Sequence, residues 1–446
     1  MRILSITAGA AGMYCGSCFR DNALAAELMR HGHEVMLMPV YTPTRTDEAN
    51  VSAPHVLFGG ISVYLQQRMP AFRRLPRMFD RVWDAPRVLR AVASRGVATS
   101  PDLLGDLTVS MLEGRGGLLA REFDKLLEWT RHAPVPDVIS LPNSLLIAMA
   151  APLREAFNRP VCCTVQGEEL FLDGLAPAYR ERAVDLIRQQ VDRVDRFIAV
   201  SDYSAAFMCR YLGVPAERMS VVPLGIGMVD YTRRAVDPTR FTVGYFARVA
   251  REKGLHVLAE AYVRLRTRMG SAPARLEAAG YLAPADRPYL AHVRSILQAA
   301  GLSDEFLYRG EVDRVGKLGF LHGLDVLSVP ATYDEPKGMF LLEAMASGVP
   351  VVQPRRGAFT EIVERTGGGL LVAPDDPDAL ATGLNRLRTD RGLMADLADR
   401  AWSGVRAHYD IAASAARMAD VYATTVREAE LPPPAPVLER RRQNEG

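Results

Sequence analysis

The sequence predicts an α/β protein with two doubly wound domains that face each other across a cleft. Short apolar runs of strand length alternate with longer helical patterns, and the first ~40 residues contain a strand, a helix and a second strand. The same alternation restarts near residue 241. Because a strand–helix–strand unit implies a parallel sheet, two such series imply two parallel sheets. The length of 446 residues is sufficient for two large domains.

The first series predicts five strands and three helices. Apolar and β-branched runs place the strands at residues 2–7, 34–40, 137–141, 160–165 and 196–200, and residues 220–223 close this half. Helical spacing of apolar side chains places the helices at residues 22–30, 181–194 and 205–212. Residues 41–136 break the alternation and are too long for a loop. We expect this insertion to contain a strand pair near 56–65 and helices near 70–94 and 118–132.

The second series predicts five strands, at residues 241–246, 275–279, 306–309, 326–330 and 350–353. Its helices are predicted at 255–268, 287–300, 339–347, 376–388 and 391–409, and one more amphipathic helix at 414–427. We therefore divide the chain into an N-terminal domain (1–225), a C-terminal domain (226–403), helices that cross back to the first domain (404–430) and a disordered, proline-rich tail (431–446). In such folds ligands bind at the carboxyl ends of the strands, here in the cleft.

The composition excludes several classes of protein. Hydrophobic residues at 48% and charged residues at 24% exclude a mostly disordered chain. The net charge of +2 is too small for a dedicated nucleic-acid binder. Five cysteines do not make a disulfide scaffold and fit a reducing compartment. Because no apolar run reaches ~18 residues and residues 1–9 lack a signal-peptide pattern, we predict a cytoplasmic protein.

Two basic side chains follow the strand at 241–246. Arg248 and Lys253 are expected at the carboxyl end of a parallel strand, beside a helix start, which suits a diphosphate. Basic residues in loops are more often simply solvated, so this pair alone does not identify a site.

Residues 334–352 add a second feature. Pro336 cannot lie inside a helix and Gly338 allows close approach to the backbone, so a helix begins near Gly338. Its first N–H groups and its dipole favour phosphate or sugar oxygens. Glu335 precedes this helix and Glu343 lies inside it; since phosphates repel carboxylates, sugar hydroxyls are their natural partners. The alternative is that both are ordinary surface residues.

Together these residues resemble the donor-site motif of family 4 glycosyltransferases, retaining enzymes of the GT-B fold with two Rossmann-like domains facing a central cleft. The resemblance covers nearly the whole chain except about residues 41–136. The matching residues are Glu335, Pro336, Gly338, Leu342-Glu343-Ala344-Met345-Ala346, Gly348-Val349-Pro350-Val351-Val352, Glu361-Ile362-Val363, and the cations Arg248 and Lys253 with Gly254.

The resemblance implies roles on the nucleotide side of the donor. Arg248 and Lys253 would neutralise the diphosphate leaving group, Glu343 would hold the ribose, and Gly310 would lie near the base. No cofactor is implied. Members of this family often need no metal ion, and no metal-ligand cluster is evident in the sequence, so we expect none to be required.

The same resemblance implies that Glu335 and the amides of Gly338, Met339 and Phe340 hold the transferred sugar. It implies an enzyme that moves a hexose from a nucleotide-diphosphate sugar, UDP-linked in our prediction, to a hydroxyl of a sugar, polyol or lipid-linked acceptor. Two alternatives stay open. One is a sugar-nucleotide epimerase or phosphorylase on the same fold, and the other is a non-catalytic, redox-responsive nucleotide-sugar sensor.

The acceptor side departs from the family pattern. The loop around Gly12 lacks the usual Gly-Gly pair, and Gln166 stands where the family usually has a histidine. Glutamine cannot act as a base but can hydrogen-bond a sugar. Cys15 and Cys18 form a Cys-x-x-Cys pair at a predicted helix start, where thiol pKa values fall. The interpretations are packing, a redox-sensitive pair that closes the cleft, and half of a metal site completed from residues 162–163.

Residues 68–95 contain eight arginines and two aspartates, a local charge of +6, with apolar residues near helical spacing. This pattern predicts an amphipathic helix that covers the domain. The alternative is an arginine-rich face for an anionic acceptor or for peripheral contact with the inner membrane face.

Overall fold

The computed structural model describes residues 1–9, 16–58, 101–233, 240–270 and 272–430, without the side chains of 101–103. It contains two six-stranded sheets, and every strand pairing in them is parallel. The predicted α/β class with two doubly wound sheets is therefore confirmed.

The first sheet has the strand order β2-β1-β3-β4-β5-β6. Its strands are β1 (Arg2–Thr7), β2 (Glu34–Pro39), β3 (Val138–Leu141), β4 (Val161–Val165), β5 (Arg196–Ala199) and β6 (Met219–Val221). The helices of this half are α1 (Gly16–Arg30), α2 (Pro101–Leu112), α3 (Ala120–Thr130), α4 (Ala150–Phe157), α5 (Glu168–Asp173), α6 (Pro177–Arg188) and α7 (Asp202–Leu212).

The second sheet has the order β12-β11-β10-β7-β8-β9. Its strands are β7 (Phe241–Phe246), β8 (Ala274–Ala279), β9 (Phe306–Tyr308), β10 (Val326–Leu327), β11 (Val351–Pro354) and β12 (Gly369–Val372). The helices are α8 (Leu255–Met269), α9 (Arg287–Ala299), α10 (Arg314–His322), α11 (Met339–Ala346), α12 (Gly357–Thr366), α13 (Pro377–Thr389), α14 (Arg391–His408) and α15 (Ile411–Glu430).

Each sheet is buried on both faces, as parallel sheets require. In β1, Ile3 packs into one core cluster while Leu4 and Ile6 pack into another, because successive side chains of a strand point to opposite faces. The last helix, α15, covers the Ile3 face together with α1. Tyr422 of α15 donates a 2.8 Å hydrogen bond to Ser140 of β3, so the end of the described chain packs on the first sheet.

Several elements differ from the sequence prediction. Helix α1 already includes Gly16, the first residue described after residue 9 and six residues before the predicted start at residue 22. Strand β10 is only two residues long, and β12, α4, α5, α10 and α12 were not predicted. Helix α10 contains Gly316 and Gly319, which have low helix propensity, and it is stabilised by the Asp313 carboxylate, which accepts a 2.8 Å hydrogen bond from the Gly316 amide.

The insertion is described in part. Helix α3 confirms the helix predicted near 118–132, whereas α2 was not predicted. The predicted strand pair at 56–65 is not formed over residues 56–58: Leu57 and Phe58 instead donate backbone hydrogen bonds to Pro39 and Val40. Residues 59–100, with the helix predicted near 70–94 and the arginine-rich segment 68–95, lie outside the described residues, as does the tail 431–446. Within the described ranges, no helix is both long and apolar enough to span a membrane.

Candidate active site

Lys253 lies where the sequence predicts it, in the 3-10 turn Arg251–Lys253 beyond the carboxyl end of β7. The following Gly254 has φ +75°, and a Cβ atom there would lie 1.9 Å from the carbonyl oxygen of Pro330. Only glycine fits this close approach. The close approach therefore fixes the backbone of the Lys253–Gly254 turn against the segment that follows strand β10.

Lys253 and Glu335, predicted separately for the diphosphate and the sugar, form a direct ion pair. Tyr333 completes the cluster: its hydroxyl lies 2.5 Å from the Lys253 ammonium and donates to the Glu335 carboxylate. Burial alone would raise the pKa of Glu335, but the charge and hydrogen bond of Lys253 outweigh it and lower that pKa to about 2. Glu335 is thus an ionised carboxylate although it is only 3% exposed.

Helix α11 begins as predicted, at Met339 directly after Gly338. Gly338 has φ +68°, and a Cβ atom there would lie 2.8 Å from Ile362, so the sharp entry into the helix requires glycine. The first N–H groups of α11, at Met339 and Phe340, have no partners inside the helix by geometry. Phe340 also places its ring 5.7 Å from the Lys253 ammonium, so the helix start and the cation share one wall of the cleft.

Glu343 is buried in α11 and bound to a cation that the sequence did not predict. The Lys317 ammonium donates to Glu343 at 2.7 Å, and the Tyr231 hydroxyl donates to the same oxygen at 3.2 Å. Asp47, from the first half of the chain, accepts from Lys317 at 2.6 Å. Burial would lower the pKa of Lys317, but Glu343 and Asp47 raise it above its usual value. The sequence alternative that Glu343 is an ordinary surface residue is wrong.

Arg248 and Gly310 lie apart from this cluster. The Arg248 side chain is exposed and pairs with Glu252, four residues further along the chain. Gly310 follows β9 with φ +77°, and its carbonyl accepts a 2.8 Å hydrogen bond from Gly280, at the end of β8. Both residues lie beyond the carboxyl ends of strands, the side where the prediction places the nucleotide.

The first half of the chain directly contacts residues 334–338, the loop before α11, which we call the donor-side loop after its predicted role. Ser201 donates a 2.9 Å hydrogen bond to the Pro336 carbonyl, and Lys337 donates a 3.0 Å bond to Ser17 of α1. Gly167 packs so closely on Pro336 that a Cβ atom there would lie 2.7 Å from the proline ring. The end of β4 and the start of α11 therefore face each other across the cleft.

Gln166 is buried at this junction. Its side-chain NH₂ donates to the Pro142 carbonyl at 2.8 Å, while its Oε1 atom is buried and has no hydrogen-bond partner among the described residues. Glu168 organises the same turn, since it accepts hydrogen bonds from the backbone N–H groups of Gln166 and Ser144 at 2.6 and 2.8 Å.

The cysteine predictions are tested only in part, because Gly12 and Cys15 lie outside the described residues. Cys18 is in the first turn of α1 and is buried. Cys162 and Cys163 of β4 lie in different core clusters, and burial raises the pKa of the Cys162 thiol to about 12. In the described part of the chain, no three His, Cys, Asp or Glu side chains are grouped to hold a metal ion.

Three residues of this site were not predicted from the sequence: Tyr333, Lys317 and Asp47. Tyr333 could have been suspected, because it lies two residues before Glu335 in the same loop. Asp47 and Lys317 are 270 residues apart, and neither belongs to a local motif, so only the fold brings them to Glu343.

Two family models match the chain. Residues 232–403 match the model described as "Glycosyl transferases group 1", and residues 107–228 match "Glycosyltransferase Family 4". The first match contains the Lys253–Glu335 pair, α10 and α11. The second contains β3, β4 and the Gln166 turn.

Curated relatives and solved structures agree with these matches. The lipopolysaccharide core biosynthesis mannosyltransferase LpsB of Rhizobium meliloti is 30% identical over 53% of this chain and 68% of its own length. D-inositol 3-phosphate glycosyltransferase 2 of Catenulispora acidiphila is 28% identical over 54% of this chain, and the match spans 58% of that relative. Anabaena Alr3699/HepE, solved with UDP, superposes with a TM-score of 0.66 at 18% identity, over 95% of this chain and 99% of that one.

Proposed function

The chain belongs to glycosyltransferase family 4 and is a glycosyltransferase of the GT-B fold, and on this basis we propose that it transfers a sugar from a UDP-linked donor with retention of anomeric configuration. The acceptor is a hydroxyl of a sugar, a polyol or a lipid-linked saccharide. One observation carries the proposal: the ammonium of Lys253, the carboxylate of Glu335 and the start of α11 meet at one point of the cleft.

This arrangement suits the bond that a glycosyltransferase breaks. When the bond between the anomeric carbon and the phosphate oxygen cleaves, its electron pair moves to the diphosphate. A fixed cation and a helix N-terminus stabilise that charge as it develops, without reorganisation during the reaction. Glu335 and Tyr333 hold the Lys253 ammonium in place for this purpose, and Arg248 would supply a second cation from the exposed edge.

In this proposal, each of the two carboxylates binds a different uncharged part of the donor. Glu335, ionised and buried, is a strong acceptor for hydroxyls of the transferred sugar, alongside the amides of Gly338, Met339 and Phe340. Glu343, one turn further along α11, would hold the ribose diol. A carboxylate next to a phosphate would be repelled, because both are negatively charged. Each carboxylate is therefore expected to contact an uncharged part of the donor.

Proton transfer in this scheme needs no histidine. Gln166 cannot accept a proton, so the departing phosphate receives the proton of the acceptor hydroxyl as the new glycosidic bond forms. Because side-chain cations and the helix start neutralise the diphosphate, we expect turnover to survive chelation with EDTA. A strict requirement for Mg²⁺ or Mn²⁺ would contradict this.

The choice of UDP and of the acceptor class rests on similar proteins. HepE was solved with UDP and UDP-glucose, and LpsB is named as a lipopolysaccharide core mannosyltransferase. We therefore propose a UDP donor first, with GDP and ADP sugars as the alternatives to be measured against it.

A thermal-shift screen of UDP-, GDP- and ADP-sugars, followed by donor hydrolysis, tests the proposal. We expect slow release of free sugar from one donor and a kcat that falls about 10²- to 10³-fold in Lys253→Ala. Arg251→Ala is the matched control, since Arg251 is an exposed cation of the same turn. Tight binding without turnover on any acceptor would instead favour the sensor, and rearranged or phosphorolysed sugar would favour the epimerase or phosphorylase.

Peripheral contact with anionic lipid is proposed from the sequence of residues 68–95 alone. Sedimentation with anionic vesicles at low salt tests it, with neutral vesicles as the control. Failure to sediment with the anionic vesicles would remove the membrane interpretation.

A further inference from the structure

Glu169, in the first turn of α5, is a buried carboxyl group to which the scheme above gives no role. It is 8% exposed, and its Oε2 atom is buried without a hydrogen-bond partner among the described residues. Buried acceptors without a partner are costly, and proteins retain few of them. Such an atom at a cleft indicates that its partner arrives with a ligand.

The local fold does not require the carboxyl group of Glu169, because its neighbour Glu168 already makes the hydrogen bonds that hold this turn. Glu168 accepts three hydrogen bonds, from the Ser144 amide at 2.8 Å, the Ser144 hydroxyl at 3.1 Å and the Gln166 amide at 2.6 Å. These bonds tie β4 to the segment after β3. The structural requirement of the turn is therefore met by Glu168, one residue earlier.

Glu169 lies against the donor-side loop. Gly167, two residues before it, packs on Pro336, and the charges of Glu335 and Lys337 both act on the Glu169 carboxyl. A second buried acceptor without a described partner, Gln166 Oε1, lies on the same turn. Two acceptor atoms beside a loop that holds a sugar need hydroxyl donors, and a phosphate would be repelled.

We propose that Glu169 is a substrate-binding residue that accepts a hydrogen bond from a hydroxyl of the transferred sugar. Glu335 would contact that sugar from the second half of the chain and Glu169 from the first, so the sugar bridges the cleft. This inference rests on the proposed function, because it presupposes a nucleotide-sugar donor.

The pH dependence of sugar binding distinguishes a substrate-binding role of Glu169 from a packing role. Burial is the largest cause that raises its pKa, to about 7, and the adjacent Glu168 raises it further. A carboxylate accepts stronger hydrogen bonds than a carboxylic acid, so the contribution of the sugar to binding should grow as the pH rises through about 7. The ionisable groups that act on Glu169 or feel its charge are Glu168, Glu335, Lys337, Tyr203 and Tyr333.

Calorimetry with UDP-glucose and with UDP isolates the sugar contact, since UDP lacks the sugar. We expect Glu169→Ala to weaken UDP-glucose about tenfold or more and to leave UDP unchanged. Between pH 6 and 8 the preference for UDP-glucose over UDP should rise more steeply in the wild type than in Glu169→Gln, in which only the titration of the terminal phosphate of UDP remains. Equal effects on UDP and UDP-glucose, or none on either, would overturn the inference while leaving the proposed function intact.

Failure of the wild-type protein to bind either ligand would instead overturn the proposed UDP donor, and this inference with it. Thermal unfolding supplies the structural control. Glu169→Gln should unfold at the wild-type temperature or above it, because it removes a buried charge beside Glu168, whereas Glu168→Gln should unfold at a lower temperature. A large destabilisation by Glu169→Gln would show that the carboxyl is structural and would overturn the inference.

Discussion

Lys317 of the second half of the chain donates a 2.6 Å hydrogen bond to Asp47 of the first half. The same ammonium binds Glu343 at 2.7 Å, so one buried cation joins the two halves at the carboxylate proposed to hold the ribose. Asp47, Lys317 and Glu343 all line one small cavity of about 30 Å³. Asp47 therefore lies beside the approach to Glu343, and we expect it to compete with a ribose for that position.

Substitution of Asp47 and of Lys317 should accordingly change nucleotide binding in opposite directions. Asp47→Asn removes the charge that would compete with the nucleotide for Lys317, so we expect UDP to bind about threefold tighter or more. Lys317→Ala leaves Glu343 buried without its cation and disturbs its position, so UDP should bind at least about tenfold more weakly. Lys317→Arg should recover part of the loss because it restores the charge.

Titration calorimetry with UDP checks both directions. Asp378→Asn is the matched control, because Asp378 forms an exposed ion pair with Arg264 within the second half. Weaker binding of UDP by Asp47→Asn would show that Asp47 supports the nucleotide rather than competing with it.

The local features of this protein were predictable from sequence, and the contacts across the chain were not. The strands Arg2–Thr7 and Phe241–Phe246 have the predicted bounds because short runs rich in apolar and β-branched residues are typical of buried parallel strands. The start of α11 followed from Pro336 and Gly338, whose backbone restrictions act within a few residues. The cation at Glu343 comes from α10, which was itself missed because its glycines weaken the helical pattern.

The ion pair of Glu335 should make stability depend on pH in a specific window. Its pKa is lowered from 4.5 to about 2, so the pair contributes fully above the unfolded pKa and is lost as the pH falls through about 2. The shift corresponds to on the order of 3 kcal/mol in the free energy of unfolding. Urea denaturation at pH 6 and pH 3 should show a smaller acid-induced loss for Glu335→Gln than for the wild type. Equal losses would show that Glu335 is not paired in solution.

Two glycines with similar backbone angles should respond differently to alanine. Gly254 and Gly301 have φ +75° and +72°, but a Cβ atom at Gly254 would lie 1.9 Å from the Pro330 carbonyl, whereas nothing lies within 4 Å of one at Gly301. Gly301→Ala should lower the free energy of unfolding through backbone strain alone, by about 1–2 kcal/mol. Gly254→Ala must also displace the Lys253 turn, so it should be less stable than Gly301→Ala and should lose donor hydrolysis. Equal stability and activity of the two variants would contradict the close approach at Gly254.

Buried thiols should resist alkylation in the folded protein. Cys18, Cys162 and Cys163 are at most 1% exposed, and burial raises the pKa of Cys162 to about 12 and that of Cys163 well above its usual value. Since the thiolate is the reactive form, N-ethylmaleimide at pH 7.5 should leave these three unlabelled in mass spectra of the native protein and label all three after unfolding. Cys209, which is partly exposed, serves as the internal control. Rapid native labelling of Cys18 would favour the redox interpretation of the Cys15–Cys18 pair, because a disulfide switch needs a thiol that oxidants can reach.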